Sequence, residues 1–248
     1  MKKWTEEQLV EVLRLYCRTE FGKIHNRNPS IIELARKLER TPSSVSLKMS
    51  NFAALDPTID RKGMSNFSAL DRETWNKFFA NIDAYIIDEA TQEPHIENSS
   101  FNEEKADFEL DIPFNLRSGF DVNVEAKQRI GQSFFRSMII ASYDGKCAAT
   151  NVDSNQLLVA SHIVPWSKNK SVRLDPSNGI CLNALFDRAF DRGLISFSDT
   201  FKILYSSSLP KNTKLTLQSM TKGILRLPSK FQPNIDYLKE HREQFRFE

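Results

Sequence analysis

His162, Asn178, Asp187 and Asp191 are the residues of this 248-residue chain whose types and spacing could do chemistry. His162 closes the apolar run "LLVASH". A lone histidine there usually satisfies a core hydrogen bond, yet a neutral imidazole can also accept a proton near pH 7. Asn178 lies in "DPSNGI", a turn where an amide side chain can bond the backbone. Asp187 and Asp191 stand four apart in "LFDRAFDRG", each preceded by phenylalanine and followed by arginine. On a helix, positions i and i+4 share one face about 5–6 Å apart. Two carboxylates so placed could share a hard cation, for which oxygen donors favour Mg²⁺ or Mn²⁺. Asp191 also reads as a cap on its helix end. Arg188 reads as half of a surface ion pair, while Arg192 could touch a substrate backbone.

The elements around these residues read as follows. "QLLVASHIVPW" is a strand, paired through "NVDSN" to a short strand "KCAAT". "SKNKSVRLDPSNG" is a loop, and "ICLNALFDRAFDRG" turns helical and stops at Gly193. "LISFSDTFKILYS" gives two more strands turning at Ser198-Asp199. A helix over about 124–143, ending at Asp144-Gly145, precedes the unit. Lys168, Lys170 and Arg173 make the loop basic and suited to phosphates. Trp166 and His241 read as packing residues.

Toward the N-terminus the pattern is helical. Thr5 and Gln8 suggest a capping box, as do Ser30 and Glu33, and Thr41 with Pro42 opens a third helix. Ser43, Ser44, Ser46 and Lys48 would be exposed on it, as in a helix-turn-helix reader, with Ser44 and Lys48 the candidate nucleic-acid contacts. "MSNFAALD" recurs as "MSNFSALD" 15 residues later, too few copies for a solenoid; two similar helix ends packed side by side is the plain reading. Residues 72–90 form a further amphipathic helix. The expected organisation is a helical domain over 1–90, an acidic linker over 91–111 carrying a solvent-facing His95, and a second domain over 112–248.

Charge divides the chain in the same way: residues 1–81 carry net +4, residues 82–111 net −9 and residues 112–248 net +7. Two basic blocks suggest a polyanionic partner. No apolar run reaches the ~18–20 residues of a membrane span, and glutamates follow Lys3 where a signal peptide needs an apolar core. A cytoplasmic protein with no membrane partner is expected. Cys17, Cys147 and Cys181 are isolated, so neither a disulfide framework nor a structural zinc is expected.

The segments "CAATN", "VASHIVPWSKN" and "LDPSNGICLNALFDRAFDRGLISFSD", within residues 147–199, resemble the HNH (ββα-metal) endonuclease family, in its restriction-endonuclease-like subgroup. Flanking segments extend the resemblance over about 125–248. It implies a ββα-metal nuclease domain with flanking helices and does not cover residues 1–90; with the helix-turn-helix-like N-terminal domain read above, the expected fold is α+β. It also implies double-stranded DNA as substrate, His162 as general base, and Asn178 as the residue that holds the loop. A divalent metal would sit at the start of the helix, held by Asp187 and Asp191. Ser161 occupies a position that is often a ligand, and Asp187 stands where many relatives have histidine. Restriction of foreign DNA, with or without a requirement for modified bases, is the expected setting. One such site cuts one strand, so a double-strand break requires a homodimer or two visits. The competing readings are a non-catalytic DNA-binding regulator with a degenerate nuclease unit, and a structure-specific or RNA nuclease.

Overall fold

The computed structural model describes residues 3–58, 66–86 and 119–247. The expected acidic linker with His95, and the start of the second "MSNF" copy, lie outside the described residues. Four helices form the N-terminal part: α1 Glu6–Arg18, α2 Pro29–Lys37, α3 Pro42–Ala53 and α4 Ala69–Ala80. Then come α5 Gly119–Ser142, β1 Leu158–His162, β2 Gly179–Asn183, α6 Ala184–Asp191, β3 Ile195–Phe197, β4 Ile203–Tyr205, α7 Lys211–Ser219 and α8 Ile235–Gln244. Each pair of strands forms its own two-stranded antiparallel sheet. The architecture is therefore mixed, helices with small sheets. No described helix is long and apolar enough to cross a membrane.

The caps explain most helix starts. Thr5 accepts from the Gln8 N–H at 3.3 Å. The Gln8 side chain does not close the box; it donates to the Leu38 carbonyl and accepts from Arg40. Helix α2 begins before the expected Ser30 box. Asn28 accepts from the Ser30 N–H at 2.9 Å, and Pro29, with φ already set for a helix, takes the first position. Thr41 caps α3 as expected. The helix expected over 72–90 starts earlier because Ser68 and Asp71 form a reciprocal capping box, and it breaks at Asn81 before a helical turn over 82–86.

The repeated octapeptide has a structural account. Both copies end in a buried aspartate, Asp56 and Asp71. The Asn51 amide of the first copy reaches Asp71 of the second at 3.5 Å. Asp71 also accepts from the Ser68 N–H and from Lys48 at 2.7 Å. Asp56 instead accepts from Thr58 and from the Phe231 N–H at 2.8 Å, far along the chain.

A second bond of that kind is stronger. Lys230 is 1% exposed, and its ammonium donates to the carbonyls of Tyr16, Cys17 and Thr19 at 2.6, 3.1 and 2.7 Å. These carbonyls lie at and just beyond the end of α1, where helix polarity favours a cation. One continuous apolar cluster runs from Leu9, Tyr16 and Phe52 through Trp75 and Phe231 to Phe135 and Phe186.

The sequence misassigned the first hairpin. "KCAAT" forms no strand; β1 pairs with β2, His162 opposite Gly179 and Leu158 opposite Asn183. The apolar run "GICLN", expected to be helical, is that strand, and it is buried on both faces. A continuous apolar run carries no period to separate strand from helix. Consequently the segment between His162 and Asn178 is the connection within the hairpin itself.

His241 in α8 holds the end of α6. Its Nε2–H donates to the Phe190 carbonyl at 3.1 Å, so Nδ1 accepts from the Ser196 hydroxyl at 2.9 Å. The ring stacks on Phe190 at 3.9 Å. Burial pushes its pKa down to about 4, reinforced by Arg242 and Lys168 and opposed by the Phe190 carbonyl. Because the folded pKa lies below the unfolded value near 6.5, the unfolded chain binds the extra proton between those two pH values, and stability falls as pH drops through that window. Chemical denaturation should show wild type losing on the order of 2 kcal/mol more than His241→Gln between pH 7 and pH 5.

Candidate active site

His162 is half-buried at the end of β1. Its ring lies flat on Phe135 of α5, centroids 3.9 Å apart and planes within 10°, with Trp166 edge-on at 5.4 Å. Nε2 lies 3.0 Å from the Arg173 carbonyl. A carbonyl only accepts, so Nε2 carries the proton and Nδ1 keeps its lone pair. Among the described residues Nδ1 has no hydrogen-bond partner. Burial lowers the histidine pKa, opposed by the Arg173 carbonyl. The imidazole is thus neutral at pH 7, with its basic nitrogen identified by the bond on the other one.

Gly179 makes that stacking possible. A Cβ on it would stand 2.4 Å from Ile139 Cδ1 and 2.8 Å from Phe135 Cζ. Only a residue without a side chain lets α5 press Phe135 this closely against the hairpin.

Asn178 is fully buried and ties the connection at both ends. Its Oδ1 accepts from the Val164 N–H at 2.8 Å, and its Nδ2 donates to the Val164 and Val172 carbonyls at 3.1 and 3.0 Å. The Asn178 carbonyl accepts from the Ile163 N–H at 3.0 Å. The loop that presents the Arg173 carbonyl to His162 is therefore held by one amide.

Asp187 lies in the first turn of α6 and Asp191 ends it. Burial raises the pKa of Asp187, opposed by the neighbouring Ser161 hydroxyl and by Arg188. Asp191 is exposed at the helix end, but partial desolvation, and then repulsion from Asp187, push its pKa up to about 6, against Arg188 and Arg192. Ser161 is 2% exposed, and although its hydroxyl influences Asp187, its oxygen completes no hydrogen bond of ordinary geometry. Two mutually repelling carboxylates, with the buried Ser161 hydroxyl next to Asp187, form an oxygen donor set. Among the described residues no group of three or more His, Cys, Asp or Glu side chains gathers as a metal site. A Mg²⁺-type ion asks for less, because one or two carboxylates and the substrate phosphate complete its shell with water. The donor set fits such an ion.

The start of α6 is fixed from outside. Asn183 caps it through the Phe186 N–H at 3.0 Å. Asn183 in turn donates to Cys147 Sγ at 3.2 Å and to the Thr150 hydroxyl at 3.0 Å. Cys147 and Cys181 are free thiols, both buried. Gly193 ends the element with φ of 63°, and Phe245 packs where its Cβ would be.

The residues expected to touch nucleic acid differ in what they meet. Arg173 turns its guanidinium inward, donating to the Trp166 carbonyl at 2.7 Å and lying over that ring, so its backbone carbonyl is what serves His162. Lys168 pairs with Glu240 of α8, and Lys48 with Asp71. Lys170 and Arg192 are exposed. Ser44 sits in the first turn of α3, where its N–H serves the Thr41 cap. The roles of Phe135, Gly179 and the Arg173 carbonyl escaped the sequence reading; the apolar face of "SFFRSMII" and the glycine after Asn178 were their only traces.

A hairpin closed over a histidine–asparagine loop and followed by an acidic helix is the architecture of a ββα nuclease unit. Residues 147–198 match the family model of an HNH endonuclease. This segment is an HNH endonuclease domain. No curated protein matches the chain. A solved structure similar to it is a modification-dependent TagI restriction endonuclease, at 20% identity and a TM-score of 0.35, over 44% of this chain and 36% of that one.

Proposed function

We propose that the chain is a metal-dependent endonuclease of double-stranded DNA, serving restriction or another defence against foreign DNA. The hydrogen bond from His162 Nε2 to the Arg173 carbonyl carries this reading, because it leaves Nδ1 as the free base. A water presented to Nδ1 would lose its proton there while its oxygen attacks the phosphorus. The Phe135 stack and the Asn178 amide keep the imidazole from turning away. Asp187 and Asp191, with the Ser161 hydroxyl, would hold a Mg²⁺ or Mn²⁺ ion. When bound, that ion supplies positive charge to the phosphate oxygens and the departing 3′ oxygen. Lys170 and Arg192 are the exposed cations available to neighbouring phosphates. A double-strand break takes a homodimer or two encounters, which sedimentation beside plasmid linearisation distinguishes.

Plasmid nicking across a Mn²⁺ titration tests the assignment. Asp187→Asn should raise the half-saturating Mn²⁺ concentration by at least about tenfold, since one of two anionic donors is lost. An unchanged titration curve removes Asp187 from the metal site. Cleavage of modified against unmodified DNA then decides whether base modification is required.

A further inference from the structure

A cleft of about 250 Å³ opens between the N-terminal helices and the nuclease unit. Trp75, Phe79 and Phe231 form its aromatic side, and Asp56, Asp175 and Ser171 stand among its polar residues. The Trp75 and Phe231 planes lie within 25° of each other at 6.2 Å, and Phe79 is 4.5 Å from Trp75. None of these groups has a part in the chemistry at His162.

The lining restricts the occupant. It includes two carboxylates and, among the described residues, no cation, so phosphate and the sugar-phosphate backbone are repelled. Asp56 accepts from the Thr58 N–H, the Thr58 hydroxyl and the Phe231 N–H. Asp175 accepts from the Ser177 N–H, the Ser177 hydroxyl and Tyr237. A carboxylate offers about four acceptor positions, so the half-buried Asp175 retains capacity for one more donor, whereas Asp56 is buried. Drug-sized ligands take pockets of roughly 300–1,000 Å³; this cleft suits something the size of one heteroaromatic base. A planar ring with an outward amino group satisfies both sides, stacking on the aromatic wall and donating to a carboxylate.

We propose that this cleft receives a nucleobase turned out of the DNA duplex, its ring against Phe79 and its exocyclic amine toward Asp175. The proposal rests on the reading of the chain as a nuclease of double-stranded DNA. The cleft shares its loop with the active site: Ser171 and Asp175 flank Arg173, whose carbonyl holds His162. A base seated there touches the same segment that sets the catalytic imidazole.

Extruding a base costs a few kcal/mol, less where pairing is already broken. The full chain, with EDTA to prevent cleavage, is titrated against duplexes carrying a single mismatch at successive positions. Wild type should bind about tenfold more tightly when the mismatch falls on the extruded base. Phe79→Ala should lose that gain while binding the matched duplex as before. Ser171→Trp, placed at an exposed rim position and leaving the core intact, should fill the cleft and lose it equally. DNA binding with no position of mismatch preference, or a preference unchanged in both variants, overturns the base pocket alone. No binding to any duplex overturns it together with the nuclease reading it rests on.

Discussion

His162→Ala should lower plasmid nicking by about 10²–10⁴-fold, the usual contribution of a positioned general base. Binding to the same DNA in EDTA should stay within a few-fold, because the imidazole contacts protein through Nε2 and, in the proposed mechanism, would offer Nδ1 only to the attacking water. The loss should be in turnover, with the Mn²⁺ requirement unchanged, since the ring is not among the oxygen donors. A variant that nicks as wild type does would assign the proton transfer elsewhere and leave the hairpin a scaffold.

Asn178→Asp should be nearly as damaging for a different reason. The substitution keeps the acceptor facing the Val164 N–H and replaces the donor facing two carbonyls at 3.1 and 3.0 Å. Acceptor then meets acceptor at a fully buried position. The cost should be at least about 3 kcal/mol, from the lost donor bonds and an uncompensated buried charge. In a chain of this size that lowers Tm by roughly 6–12 °C. The new carboxyl would have its folded pKa raised above the unfolded value, so the deficit should shrink as pH falls toward that unfolded value and protonation restores a donor. Thermal melts at pH 7 and pH 5 read both effects. Nicking should fail at pH 7 even below the melting range, because the loop no longer fixes the Arg173 carbonyl.

The two variants also mark what the sequence could reveal. His162, Asn178 and the two aspartates stood out through their order and gaps, because the proposed chemistry would demand particular side chains. The strand partner of His162 did not, because "GICLN" is apolar on both faces and its period is silent. The carbonyl of Arg173 was equally silent. A cation in a polar loop suggests phosphate, and nothing in its letter says that its backbone carbonyl bonds His162 while its side chain braces Trp166. Backbone groups have no letter in a sequence. Likewise the repeated "MSNF" octapeptide showed itself at once, whereas the divergent duties of Asp56 and Asp71 depend on what each meets in space.

Lys230 carries a consequence for any attempt to recombine this protein. A cutting module severed from α1 would keep a desolvated ammonium with its three carbonyl partners gone, alongside an aromatic face stripped of Tyr16 and Trp75. The helices that would choose a target and the hairpin that would cut it are welded, not tethered. Retargeting by swapping the front half for a foreign reader would therefore yield an insoluble product, and new specificity has to be carved into the existing bundle.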